Sequence, residues 1–165
     1  MIAIIDYDAG NIKSVEKALT RLGEQVTVTR NPEEILGAGG VILPGVGAFG
    51  DAMERLKSYG LVETIAQVAE RRIPFLGICL GLQLMFESSE ESPGVKGLGL
   101  VPGRILRIPD DGGLKVPHMG WNSLKFPHAG RLFKGLPQDS YVYFVHSYYL
   151  QADDNSIVTA TTEYG

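Results

Sequence analysis

The residues most able to do chemistry lie in Gly77-Ile78-Cys79-Leu80-Gly81-Leu82-Gln83, which carries the one cysteine of the sequence. An apolar run from Ile73 to Ile78, too short for a helix of its own, leads into it, and apolar residues at helical spacing follow to Phe86. The pattern predicts strand, sharp turn, helix, with Cys79 at the turn. That is the layout of a nucleophile elbow with Cys in place of Ser, in which flanking glycines let strand and helix approach closely. A thiolate placed there meets unpaired backbone N–H groups and the positive end of the helix dipole. A lone cysteine is otherwise most often a small buried hydrophobe; the two glycines and the strand-to-helix switch favour the nucleophile.

A second chemistry-bearing stretch is Pro44-Gly45-Val46-Gly47-Ala48-Phe49-Gly50. Its glycines match G-x-G-x-x-G, so a dinucleotide site has to be weighed. That reading asks for an acid near the end of the next strand, and none lies between Ile73 and Phe86. The fingerprint also belongs after the first strand of a fold, and this one follows the third. The alternatives are a tight structural turn, or a loop that offers backbone N–H groups to an oxyanion together with the N–H of Leu80, the residue after the nucleophile.

The elements that must position these stretches follow from the order of patterns. Ile2–Ile5 is a continuous apolar run suited to a strand buried on both faces. Asn11 is placed to cap a helix with Val15, Ala18, Leu19 and Leu22 on one face and Gly23 as its stop. Gln25–Thr29 alternates as a second strand, and Asn31-Pro32-Glu33-Glu34 starts a second helix. Val41–Leu43 is a third strand, Asp51 a further cap, and 61–72 a helix leading to the elbow strand. This alternation predicts an α/β fold, an open and mostly parallel sheet flanked by helices, with the glycine loop and Cys79 at the same sheet edge. From Gly94 the texture changes. Leu100–Ile108, Tyr141–Val145 and Ile157–Thr161 read as strands and Asp110-Asp111-Gly112-Gly113 as a hairpin turn, an antiparallel C-terminal extension.

Composition bounds the rest. The 165 residues suit one domain, 1–165, with 44% apolar and 21% charged residues. A net charge of −4 without a basic cluster argues against nucleic acid or an anionic membrane as partner. The N-terminal stretch lacks the features of a signal peptide, no apolar run reaches membrane-spanning length, and one cysteine suits a reducing, cytoplasmic setting. No metal-ligand pattern or cofactor motif is expected.

Four segments together resemble a known family: Pro44–Phe49, Gly77–Gln83, Lys115-Val116-Pro117-His118-Met119-Gly120-Trp121-Asn122 and Tyr143-Phe144-Val145-His146-Ser147-Tyr148. They are similar to class I, triad-type glutamine amidotransferases, and the last two are similar to the glutaminase subunit of imidazole glycerol phosphate synthase. The resemblance runs along the whole sequence. It implies hydrolysis of the glutamine side-chain amide through a thioester, without a cofactor, and passage of ammonia to a barrel-shaped cyclase subunit, in a heterodimer of histidine biosynthesis. It implies Cys79 as nucleophile; Val46, Gly47 and Leu80 as supplying or framing the oxyanion donors; and Gln83, Glu91, Ser147 and Tyr148 as glutamine contacts. Glu91 also reads as a surface charge in an acidic cluster with Glu87 and Glu90. Asn11, Pro117, His118, Met119 and Trp121 resemble the surface that faces the cyclase, although Trp121 also suits edge-of-core packing.

The family pattern departs in one respect. Its triad His and Glu come in a His-Pro-Glu-type motif, and no such motif occurs in residues 1–165. His118, His128 and His146 fall elsewhere, and only His146 is worth testing as a substitute base. The expectation is therefore a truncated domain with little glutaminase activity of its own, since triad losses run to several orders of magnitude. Two other readings stay open: a catalytically inert subunit that binds glutamine, and another cysteine-elbow hydrolase.

Overall fold

The computed structural model describes residues 1–110, 112–128 and 130–165. It divides into two compact units, Met1–Val101 and Pro102–Gly165.

The first unit is built on four parallel strands in the order β2-β1-β3-β4: β1 (Ile2–Ile5), β2 (Val26–Thr29), β3 (Gly40–Gly45) and β4 (Phe75–Cys79). The crossovers are α1 (Ile12–Arg21), α2 (Pro32–Leu36), and α3 (Phe49–Ser58) followed by α4 (Leu61–Glu70). The apolar runs predicted for β1 and β3 form its central strands. Ala3, Ile5, Val41 and Leu43 alternate into a core with Ile35, Phe49, Met53, Leu56, Leu61 and Ile65. The intervening Ile4 and Ile42 are buried as well, so both faces of the two strands are covered. The expectation of a parallel sheet flanked by helices therefore holds.

Several local expectations change. Asn31 does cap α2, its side chain accepting the Glu33 N–H at 2.9 Å. Asn11 precedes α1 without a side-chain capping bond, and Asp51 lies inside the first turn of α3 rather than capping it. The elbow helix does not run to Phe86. α5 is a single turn (Leu80–Gln83), and Met85 and Phe86 close tighter three-residue turns onto Leu82 and Gln83. One turn carries little of the dipole expected there. The two-residue β5 (Ser88–Ser89) follows, bridged to Lys96.

The second unit is antiparallel. β6 (Gly103–Arg107) pairs with β9 (Tyr148–Ala152), and β7 (His118–Ser123) pairs with β8 (Tyr141–His146). β6 thus skips the strand that comes next in the chain, so 110–113 does not join two partners; Asp111 itself lies outside the described residues. Ile157–Thr161 is not a strand. Asp154 accepts the Ser156 N–H and sets a 3-10 turn over Asn155–Ile157, leaving Thr161 to make an isolated pair with Lys125.

Candidate active site

The site in the first unit follows from strand register. In the parallel pairing of β3 with β4, Gly45 stands opposite Cys79, so the chain leaves both strands at the same sheet end and at the same level. Cys79 has φ 55° and ψ −117°, a left-handed backbone that only Gly adopts without cost. Its side chain is exposed. A non-Gly residue held this way costs about 1–3 kcal/mol and persists where its surroundings over-determine it.

Three glycines do the over-determining. A Cβ on Gly81 would overlap the carbonyl oxygen of Leu43, one on Gly77 would come within 2.6 Å of Leu82 Cα and N, and one on Gly45 within 2.6 Å of the Gly81 nitrogen. Side chains at any of these positions would force β3, β4 and α5 apart. Leu80 opens α5, so its N–H belongs to the first-turn donors that no intrahelical carbonyl reaches.

Val46 and Gly47, the loop residues next to this turn, are exposed, and Gly47 has φ 97°, which requires glycine there. The loop is anchored at both ends. At its start the buried Tyr7 hydroxyl donates to the Pro44 carbonyl at 2.8 Å. At its end the Phe49 N–H donates to a Glu91 carboxylate oxygen at 2.8 Å and the Gly50 N–H to Ser92 Oγ at 2.9 Å, capping α3 from a segment 42 residues away in the chain. Glu91 is thus half-buried and engaged, not a solvated surface charge. Gln83 closes α5 on the turn that begins with Leu80 and is half-buried.

Tyr7 and Ser92 escaped the sequence reading. Each acts through a contact distant along the chain. The available signal for Tyr7 is its position two residues past the end of β1, at the sheet end where β3 and β4 also stop. Burial pushes its phenol up to about 12; the Arg55 cation opposes that, and the charge of Cys79 adds to it.

The remaining predicted residues lie in the second unit, except Asn11, which is exposed before α1. Ser147 is the single residue between β8 and β9, and its carbonyl accepts the Ile108 N–H at 2.9 Å. Tyr148 opens β9, and its carbonyl lies 2.9 Å from His146 Nδ1. A carbonyl only accepts, so His146 carries its proton on Nδ1 and offers Nε2 as an acceptor. His118 Nδ1 lies 2.9 Å from that Nε2 and therefore donates, leaving His118 Nε2 to accept from Asn122 Nδ2 at 3.4 Å. The result is a directional chain, Asn122 to His118 to His146 to the Tyr148 backbone. Both ring nitrogens of His146 are occupied in it, and His128 is exposed on its loop.

His118 is only 3% exposed, stacked on Tyr164 and Phe144, so it supports the hairpin from beneath. Met119 and Trp121 are 60% and 69% exposed on the opposite side of β7, and Pro117 is exposed before them. Trp121 meets Tyr143 edge to face rather than entering a core. Among the described residues no His, Cys, Asp and Glu cluster could hold a metal ion, and no helix is long and apolar enough to cross a membrane.

A cysteine on a strained strand-to-helix turn, level with a glycine loop at the end of a parallel sheet, defines the class of α/β proteins built for acyl transfer from a thiol. Residues 3–165 match the family described as glutamine amidotransferase class-I. A solved glutamine amidotransferase shares the fold, with a TM-score of 0.75 at 18% identity over 97% of this chain and 79% of that one. The imidazole glycerol phosphate synthase subunit HisH of Moorella thermoacetica is 59% identical over 99% of this chain and 77% of its own length. That of Methanocaldococcus jannaschii is 51% identical over 100% of this chain and 81% of its own. The chain belongs to the class-I glutamine amidotransferases and, within them, to the imidazole glycerol phosphate synthase subunit HisH family.

Proposed function

We propose that this chain is the glutaminase subunit of a cytoplasmic imidazole glycerol phosphate synthase, releasing ammonia from glutamine for a cyclase partner in histidine biosynthesis. The observation that carries the reading is the register that sets Gly45 opposite Cys79 at one sheet end.

In this reading the Cys79 thiolate attacks the side-chain amide carbon of glutamine. The carbonyl oxygen becomes an oxyanion, met by the N–H of Leu80 and by N–H groups of the Val46–Gly47 segment. The C–N bond then breaks, ammonia leaves with an added proton, and the thioester is hydrolysed by water to glutamate through a second oxyanion. Gln83, Glu91, Ser147 and Tyr148 are the assigned glutamine contacts, with one Glu91 oxygen kept on the α3 cap. Asn11 in the first unit and, in the second, Pro117, Met119 and Trp121 are the residues assigned to face the cyclase, with His118 supporting Met119 and Trp121.

The proton transfers need a base and an orienting carboxylate. His146 is committed to His118 and Tyr148, which speaks against it as that base. We assign the base and its carboxylate to a His-Glu pair outside residues 1–165, and the amidotransferase domain to a longer protein of which these residues are part. Intact mass of the native gene product, expected well above 17.9 kDa, checks that assignment.

The test of the function pairs two assays on the complete gene product with its partner subunit. Cys79→Ala should abolish synthesis driven by glutamine and leave synthesis driven by added ammonium intact. Loss of both would make Cys79 structural; survival of the glutamine-driven reaction would remove the thioester.

A further inference from the structure

We propose that Tyr7 is a positioning residue for the oxyanion loop, its phenol hydroxyl fixing the Pro44–Gly45 peptide from which Val46 and Gly47 extend beside Cys79. The proposal rests on the glutaminase reading above and adds a residue that lies outside the four segments carrying the resemblance.

The geometry is specific. Tyr7 is completely buried, and its hydroxyl donates to the Pro44 carbonyl at 2.8 Å. A peptide plane turns by coupled rotation about ψ of the residue before it and φ of the residue after it. Pro44 has its φ fixed by the ring but its ψ free, and Gly45 lacks the Cβ that would resist rotation of its φ. Gly45 cannot be replaced by a stiffer residue, because a Cβ there would come within 2.6 Å of the Gly81 nitrogen and 2.9 Å of the Tyr7 hydroxyl. The close approach that the elbow needs thus leaves this peptide steric freedom at the last rungs of the β3–β4 ladder, where Pro44 pairs with Ile78 and Gly45 with Cys79, and the Tyr7 hydrogen bond adds a restraint on its carbonyl there. With the α3 cap on Glu91 and Ser92, that bond holds the loop at both ends.

Tyr7 is itself braced. Arg30 Nη2 donates to Asp6 at 3.0 Å and to Asp8 at 2.8 Å, and its guanidinium sits 4.2 Å from the centroid of the Tyr59 ring. Tyr59 donates to the Asp8 carboxylate and Arg55 to the Asp8 carbonyl. Gly10, at the end of the same loop, leaves no more than 3.1 Å between a notional Cβ and Pro44. The loop after β1 is therefore pinned on one side by ion pairs and packed on the other against the residue whose carbonyl Tyr7 holds.

The test is Tyr7→Phe in the complete gene product with its partner subunit, which keeps the ring and removes the hydroxyl. Two rates are read: steady-state ammonia release, and alkylation of Cys79 by iodoacetamide, a displacement at saturated carbon that forms no oxyanion. The expected result is a fall in kcat of about 10- to 100-fold, since a misplaced donor of about 1 Å has effects of that order. KM and the alkylation rate should stay within about twofold, because substrate contacts and thiol are untouched. An unchanged kcat overturns the proposal and leaves Tyr7 as core packing. A parallel fall in alkylation also overturns it, by placing the effect on the thiol. If wild-type protein releases no Cys79-dependent ammonia, the glutaminase reading fails first and this inference with it.

Discussion

Glu91 shows how a single side chain changes meaning between sequence and fold. In the sequence it stands with Glu87 and Glu90 and looks like part of a solvated acidic cluster. In the fold its carboxylate accepts the Phe49 N–H and closes the N-terminus of α3, where negative charge is favoured by the helix dipole as well as by the hydrogen bond. Ala48, the residue at the cap position itself, has no side chain able to do this. Removing the acceptor should therefore cost about as much as losing an N-cap. Glu91→Ala is expected to lower unfolding stability by roughly 1–2 kcal/mol and Glu91→Gln by less, because an amide oxygen still accepts. Urea denaturation with a common m-value reads this, and an unaltered midpoint in Glu91→Ala would show that the cap contributes nothing. Contacts of this kind, like those of Tyr7 and Ser92, join residues about 40 positions apart. Local pattern cannot reveal them. Cys79 and its glycines were legible because the elbow is a local device, written in seven consecutive residues.

At the scale of elements, legibility followed the strength of periodicity. β1 and β3 are unbroken apolar runs buried on both faces, and the pattern located them. Ile157–Thr161 has the composition of a strand, but Asp154 and Ser156 just before it satisfy the backbone locally and redirect the chain. The pairing of β7 with β8 was hidden for another reason: its two motifs are separated by a long loop, and only the fold shows that they share the His118–His146 pair. That pair makes a prediction. Burial first, and the neighbouring His146 second, hold the His118 imidazole below its ordinary value of 6.5. A depressed histidine lets the unfolded chain take up a proton before the native state does. Stability is therefore complete above about pH 6.5 and declines as the pH falls below it, levelling off once His118 itself protonates in the fold. Melting temperature measured from pH 7.5 down to 5 should show this decline. His118→Gln should flatten it, since the variant has no imidazole to charge; an equal decline in both proteins would place the titration on other groups.

Across the whole molecule, the feature least expected of a chain acting alone is the outer face of the β7–β8 pair. Met119 stands opposite Val145 and Trp121 opposite Tyr143, all four exposed, on a ladder whose other side holds the buried His118. The alternation is that of a half-buried strand pair, yet the large apolar side chains are on the open side. Sequence reading could place Trp121 in a family motif but could not choose between core edge and surface; its 69% exposure favours the surface. A central exposed Trp beside Tyr and Met has the composition of an interaction hot spot. Under the proposed assignment to the cyclase-facing surface, Trp121→Ala should weaken association of the complete gene product with its partner subunit by roughly 2 kcal/mol, about 30-fold in Kd. Cys79 alkylation in the isolated subunit should not change, because Trp121 belongs to β7 of the second unit and is no part of the strand-to-helix turn that holds the thiol. Titration calorimetry gives the first quantity and mass spectrometry of the alkylated protein the second. An unchanged Kd would move the partner to another face, and a loss of alkylation would mean that the hairpin, not an interface, depends on this ring.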